Sequence, residues 1–137
     1  MKNELTIGNS FSLQDELRPG LAFEKTYISL RQKEGRMYSD EELLLLPNVP
    51  KEHPHYAEWQ IRKRSCNRLI HHLEKKHSLL KILEIGCGNG WMAHQLALTA
   101  GSNVVATDIN FTELQQGARV FSHIANLQFM YCDIHSE

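Results

Sequence analysis

A chain of 137 residues, 42% hydrophobic and 23% charged, is long and apolar enough for one globular domain with a packed core and too short for a second full one. Its formal net charge of −1 excludes the global basic field that holds a nucleic-acid backbone and leaves room only for a local patch. No signal peptide and no apolar run of about 18 residues is present, so the expectation is a soluble, cytoplasmic protein with no membrane partner.

The first 55 residues are expected to form an irregular extension with short helices. Ser10 to Leu17 and Thr26 to Leu30 carry scattered apolar residues without sustained periodicity, and Arg18-Pro19-Gly20 marks a turn. Ser39-Asp40-Glu41-Glu42 reads as a capping box, and Leu43 to Leu46 continue it into a short helix that Pro47 ends. Pro47, Pro50 and Pro54 then make an irregular connector. His53 and His55 lie in it without a third metal ligand nearby in sequence and read as loop residues. The three cysteines, Cys66, Cys87 and Cys132, show no metal-ligand spacing and read as reduced packing residues.

Tyr56 to His77 reads as one long helix opening a second segment, 56–137. Tyr56, Trp59, Cys66, Leu69, Ile70 and Leu73 recur near helical spacing. The opposite face carries Arg62, Lys63, Arg64, Arg68, Lys75 and Lys76 against Glu58 and Glu74; a solvated flank explains it more simply than a phosphate contact.

Lys81 to Gly90 organises the rest of this segment. Ile82, Leu83 and Ile85 supply the apolar run of a strand covered on both faces. Gly86, Gly88 and Gly90 let the backbone turn sharply and approach a ligand closely. Glu84 is a carboxylate inside that strand and needs a partner, either loop N–H groups or a cationic ligand. Trp91 to Ala100 is the next helix, Val104 to Thr107 a strand finishing at Asp108, Phe111 to Ala125 a second helix and Leu127 to Tyr131 a third strand ending at Cys132-Asp133. The fold class is therefore α/β: the first half of a Rossmann-like, doubly wound parallel sheet, about three strands, preceded by a mainly helical N-terminal extension. Such crossovers place the third strand outermost and the first at the centre. Ligands bind at the carboxyl ends of the strands, where Gly86 to Gly90, Asp108 and Asp133 fall.

Those ends suit a nucleoside. A carboxylate at the end of the second strand, Asp108, can accept hydrogen bonds from both hydroxyls of a ribose. A dinucleotide turn wants G-x-G-x-x-G, but its last glycine position here is Trp91. A P-loop is excluded because no Gly-Lys-Ser/Thr motif comes after the turn. The cofactor expected is a nucleoside without a pyrophosphate.

Ile82-Leu83-Glu84-Ile85-Gly86-Cys87-Gly88-Asn89-Gly90 resembles the first motif of the class I S-adenosylmethionine-dependent methyltransferases. Val104 to Asn110 is similar to their second motif and Leu127 to Ile134 to their third. The resemblance implies that Glu84, Gly86, Gly88 and Gly90 hold the methionine part of S-adenosylmethionine, Asp108 the ribose hydroxyls, and Asp133 with Ile134 the adenine. Cys87, Asn89 and Ile109 belong to the same cofactor-binding set. The helix opening at Trp91 would favour the cofactor's carboxylate through its N-terminal dipole, while Trp91 itself reads as a packing residue. The resemblance implies methyl transfer to an acceptor that near-neutral charge makes a small molecule rather than nucleic acid, with S-adenosylhomocysteine as product.

The family's domain continues for three or four strands beyond the third motif, so the chain resembles its N-terminal portion. The expectation is a free strand edge and a possible homo-oligomer formed through it. No residue is nominated as a catalytic base. His53, His55 and Tyr56 stand near the expected mouth of the site, although no spacing ties them to it. Two other readings stay open: a non-catalytic S-adenosylmethionine-binding fragment or regulatory module, and, against Trp91, a nicotinamide-dependent oxidoreductase.

Overall fold

The computed structural model describes residues 20–99 and 101–135, together with the backbone of a two-residue strand, β1 (Leu5–Thr6). Ser10 to Leu17 lie outside the described residues. After β1 come three helices, α1 (Leu21–Lys33), α2 (Asp40–Leu45) and α3 (Tyr56–Glu74), and then β2 (Leu80–Ile85), α4 (Trp91–Ala97), β3 (Ser102–Asp108), α5 (Phe111–Val120) and β4 (Leu127–Tyr131). β2, β3 and β4 are mutually parallel, and the sheet runs β1-β4-β3-β2 with β1 antiparallel to β4. This is a Rossmann-like α/β fold. β4 is not the outermost strand as expected, because β1 pairs beyond it, while β2 stands at a free edge among the described residues, the strand edge expected to be left uncovered in this chain.

Register and burial explain which face is core. Ile82, Val104 and Leu127 form one cross-strand row, and Glu84, Ala106 and Phe129 the next. Val104, Ala106, Leu127, Phe129 and Tyr131 are buried, packed with Leu96, Leu114 and Phe121 from the α4 and α5 regions. Two right-handed crossovers in the same direction bring both helices to one side of the sheet. The other side stays open: Leu83 is 61% and Ile85 59% exposed, so the expectation of a strand covered on both faces does not hold for β2.

Local signals account for most element boundaries. The Ser39 hydroxyl accepts from the Glu42 N–H while the Glu42 carboxylate accepts from the Ser39 N–H, which is the capping box read from sequence. Asn110 caps α5 by accepting from the Glu113 N–H. α4 and α5 end earlier than expected, at Ala97 and Val120. The α1 helix is not legible in the sequence because it buries no apolar stripe: Phe23 and Leu30 are exposed and the buried residue is Glu24. Glu24 Oε1 accepts from the Thr112 hydroxyl, at 2.5 Å, and from the Thr112 N–H, tying α1 to the start of α5. Farther along, Gln116 donates to the Tyr38 carbonyl and Arg119 pairs with Asp40. The extension thus runs alongside α5.

Candidate functional site

The turn after β2 is built from left-handed backbone. Gly86, Gly88 and Gly90 have φ of +74°, +56° and +76°, a region that costs a side-chain-bearing residue about 1–2 kcal/mol. At Gly90 space is limiting as well, since a Cβ there would enter the Phe129 ring. Gly117, which stands in no recognisable sequence motif, does the same work from the opposite side: a Cβ on it would collide with the Asn89 carbonyl. Close approach of α5 to the turn therefore needs a glycine on the helix too.

Most of the amides in this turn are already engaged. The Gly86 and Cys87 N–H groups donate to the Thr107 carbonyl, Gly88 N–H to Asp108 Oδ2, Gly90 N–H to the Cys87 carbonyl, and Trp91 N–H to Asn89 Oδ1. Glu84 meets none of the loop amides. Its carboxylate accepts instead from the Ala93 N–H in the first turn of α4, and its Oε2 is buried with no partner among the described residues. Burial raises the Glu84 pKa to about 7, helped by the negative charge of Asp108 and opposed by the Ala93 hydrogen bond.

Two further carboxylates converge here. Asp108 ends β3, holding the Gly88 N–H on one oxygen at 2.6 Å and the Asn110 N–H on the other at 2.7 Å. Glu113, in the first turn of α5, is buried beside Gly88. It accepts from Asn110 Nδ2 at 2.7 Å and faces the Arg31 guanidinium at 3.7 Å. Burial raises its pKa while Arg31 opposes the rise. The Cys87 thiol is pushed up by burial and serves as packing; Cys66, Cys87 and Cys132 are all free.

A cavity of about 290 Å³ opens over this cluster. Glu84, Gly86 to Asn89 and Glu113 form its floor, and Tyr27, Arg31, Tyr38, Trp59 and Arg62 from the extension and α3 form its walls with Trp91. Apart from Trp91, none of these wall residues is tied to the site by a sequence motif. Tyr27 and Arg31 share a face of α1 four residues apart, but only the fold shows that the face meets the turn. Trp91 packs edge-on to Trp59 with ring centroids 5.2 Å apart, as a packing residue would. His53, His55 and Tyr56 do not line the cavity; His53 instead stacks on the wall residue Tyr38.

A second cavity, about 190 Å³, lies on the other side of Gly86. It is lined by Ile85, Thr107, Asp108, Ile109 and Cys132 to His135, and so includes Asp133 and Ile134. The Asp133 carboxylate accepts from the His135 N–H at 2.9 Å. Every residue of the expected cofactor set except Gly90 thus lines one of the two cavities that meet at Gly86. Gly90 sits behind the turn against Phe129.

Residues 82–136 match a family model described as a methyltransferase domain. No curated protein sequence matches the chain. Among solved structures, the fold is similar to that of a protein from Galdieria sulphuraria assigned as a sarcosine dimethylglycine methyltransferase, with 18% identity and a TM-score of 0.50 over 83% of this chain and 43% of that one. The 16S rRNA methylase ArmA is more distant, with 17% identity and a TM-score of 0.44 over 79% of this chain and 52% of its own. The chain spans about half the length of these structures. The glycine turn and the carboxylate at the end of β3 both lie inside the segment, residues 82–136, that matches the methyltransferase-domain model.

Proposed function

We propose that this chain binds S-adenosylmethionine across the two cavities that meet at Gly86 and serves transfer of its methyl group to a small-molecule acceptor, with S-adenosylhomocysteine as product. The observation that carries the reading is the convergence of Glu84, Asp108 and Glu113 on one glycine turn, with Glu84 Oε2 buried and unpartnered. A site with three carboxylates suits a cationic ligand bearing hydroxyls and repels a pyrophosphate. The residues present fit the cofactor on that account.

In this reading Asp108 takes the ribose hydroxyls, each charge-assisted bond contributing about 1.5–3 kcal/mol. Its two amide partners fix the carboxylate beforehand, so little ordering is needed on binding. Asp133, Ile134 and Ile109 flank the adenine in the smaller cavity. Gly86, Cys87, Gly88 and Asn89 bound the methionine end, and Gly90 secures the turn. S-adenosylmethionine supplies an electrophilic methyl group on a sulfonium. The chain supplies alignment and exclusion of water: Tyr27, Tyr38, Trp59 and Trp91 wall the larger cavity, and in-line displacement gains much of its rate from such positioning. An acceptor entering this cavity meets two carboxylates, Glu84 and Glu113, two guanidiniums, Arg31 and Arg62, and aromatic rings; an enclosed lining of mixed charge suits a small molecule better than a long phosphate backbone, which binds an extended basic surface.

A nicotinamide dinucleotide is disfavoured by the same charges and by Trp91 at the third glycine position. A cofactor-binding module without catalysis of its own is the second reading, supported by the absence of a histidine among the described residues lining the larger cavity. Among the described residues β2 forms a free sheet edge, and self-association through it belongs to the proposal, to be read by sedimentation. No helix is long and apolar enough to cross a membrane among the described residues; a cytoplasmic location is proposed with the function.

Calorimetric titration with S-adenosylmethionine and S-adenosylhomocysteine, beside Asp108→Ala, tests the reading. Saturable binding that the variant loses supports it. No binding to a folded chain removes it.

A further inference from the structure

From sequence the basic flank of α3 reads as solvated, and the fold gives it a geometry. Six of the fifteen Lys and Arg residues fall within 62–76, where Glu74 is the acid, so the rest of a chain of net charge −1 is negative. Arg64, Arg68, His71 and Lys75 are all exposed. Spaced four, three and four residues apart, they lie within about 60° of one another around the helix axis, in a straight row about 16 Å long. The row faces away from the core. Trp59 and Cys66 are the buried residues of α3, with Ile70 and Leu73 packed beside them, and all four lie on the opposite side of the helix.

Ion pairing separates this row from the other cations. Arg36 and Arg62 share Glu58, Arg31 faces Glu113, and Arg119 holds Asp40. Arg64, Arg68 and Lys75 form no ion pair among the described residues. Lys63 and Lys76 flank the row, and Glu74 stands outside it, about 100° around the axis from Lys75.

The composition of the row selects its partner. Protein interfaces are held by aromatic and apolar anchors, and the row has none; Ile61 precedes it. A lipid surface takes up an apolar face beside the basic one, and the apolar face of α3 is packed on the core. A single strand stacks its bases on aromatic rings. A duplex backbone needs only a line of cations, which it binds by releasing counterions.

We propose that this face of α3 docks the phosphate backbone of a double-stranded nucleic acid, irrespective of sequence and sugar, through Arg64, Arg68 and Lys75. The acidic remainder of the chain repels the duplex elsewhere and so orients it on this helix. Because the row lies opposite the helix face that brings Trp59 to the cavity wall, docking leaves the cavity free and is independent of the cofactor reading.

Fluorescence anisotropy with a labelled duplex of about 20 base pairs, as DNA and as RNA, tests the proposal. The chains compared are wild type, Arg64→Gln/Arg68→Gln, Arg64→Lys/Arg68→Lys, and Lys25→Gln/Lys33→Gln, which removes exposed cations from α1. Wild type should bind both duplexes alike, with log K falling against log salt at a slope of about −2.7 or steeper for about three phosphates. Arg64→Gln/Arg68→Gln should weaken binding at least about tenfold at about 50 mM salt and reduce the slope by about 1.8. The lysine pair and the α1 variant should keep most of the affinity, with a thermal melt showing each chain folded. Equal loss in both glutamine pairs overturns the proposal, because binding would then follow net charge alone. It is also overturned by unchanged binding in Arg64→Gln/Arg68→Gln, by no duplex binding to the folded wild type, by a single strand bound more tightly than the duplex, or by a preference for one sugar above about tenfold. Binding to vesicles of phosphatidylserine and phosphatidylcholine without binding to the duplex overturns it in favour of a lipid surface.

Discussion

Asp108 holds the glycine turn from below: its Oδ2 accepts the Gly88 N–H at 2.6 Å, across 20 residues of chain. The carboxylate proposed to take the ribose is therefore also the clamp that sets the turn. Asp108→Asn keeps the shape and one acceptor but loses the charge. We expect it to stay folded and to bind S-adenosylhomocysteine at least about tenfold more weakly, because a charged acceptor exceeds a neutral one by about 1 kcal/mol or more per bond. Calorimetry beside a denaturant melt checks both halves.

Glu84 makes binding pH-dependent. Its pKa is raised from 4.5 to about 7 in the folded chain, so between those values the folded state holds a proton that the unfolded state has released. Stability from this group is therefore highest at low pH and declines as pH rises from about 4.5 to about 7, with a slope of at most about 1.4 kcal/mol per pH unit. A cationic ligand group beside Glu84 favours the ionised form, so S-adenosylhomocysteine should bind more tightly as pH rises from about 5 to 7 and then level off. Glu84→Gln should flatten both profiles. Titrations at about pH 5.5 and 8, with melts at the same pH values, read them.

Gly90 and Gly35 separate two causes of glycine dependence. Both have positive φ, but a Cβ at Gly35 meets nothing within 4 Å, while at Gly90 it enters the Phe129 ring. Gly35→Ala should cost only the backbone strain, about 1 kcal/mol, and Gly90→Ala that plus about 1–3 kcal/mol of overpacking. Urea melts of the two variants should differ in midpoint in that order.

Glu58 ties the extension to α3 by accepting from Arg36 at 2.7 and 2.8 Å and from Arg62 at 2.6 Å. The Arg36 hydrogen bonds foremost, then Arg62, hold its pKa near 2, below the 4.5 of a free glutamate. This stabilisation is present above about pH 4.5 and lost as pH falls toward about 2. Because the side chain is 35% exposed, solvent screening reduces the gain to about 1 kcal/mol. Glu58→Gln should be destabilised by that much at neutral pH, with the gap to wild type narrowing in melts taken down to about pH 3.

What the sequence determined by itself was local. A short apolar run followed by three glycines dictates strand and turn, Ser39 with Glu42 a capped helix, and the two crossover helices a parallel sheet whose carboxyl ends collect Gly86, Asp108 and Asp133. Each of these rests on interactions among residues close in the chain or on a packing rule that admits one handedness.

The rest needed distant contacts. The α1 helix is illegible because a hydrogen-bonding carboxylate, Glu24, is its buried anchor, and its partner Thr112 lies 88 residues away. The open face of β2 arises because both helices pack on the same side of the sheet, which no apolar count along Ile82 to Ile85 reveals. Only the fold brings Tyr27, Arg31, Tyr38, Trp59 and Arg62 over the turn, and Glu113 and Gly117 beneath it. Arg31 and Glu84 line one cavity although segments far apart in the chain carry them, and a linear pattern carries no record of that proximity.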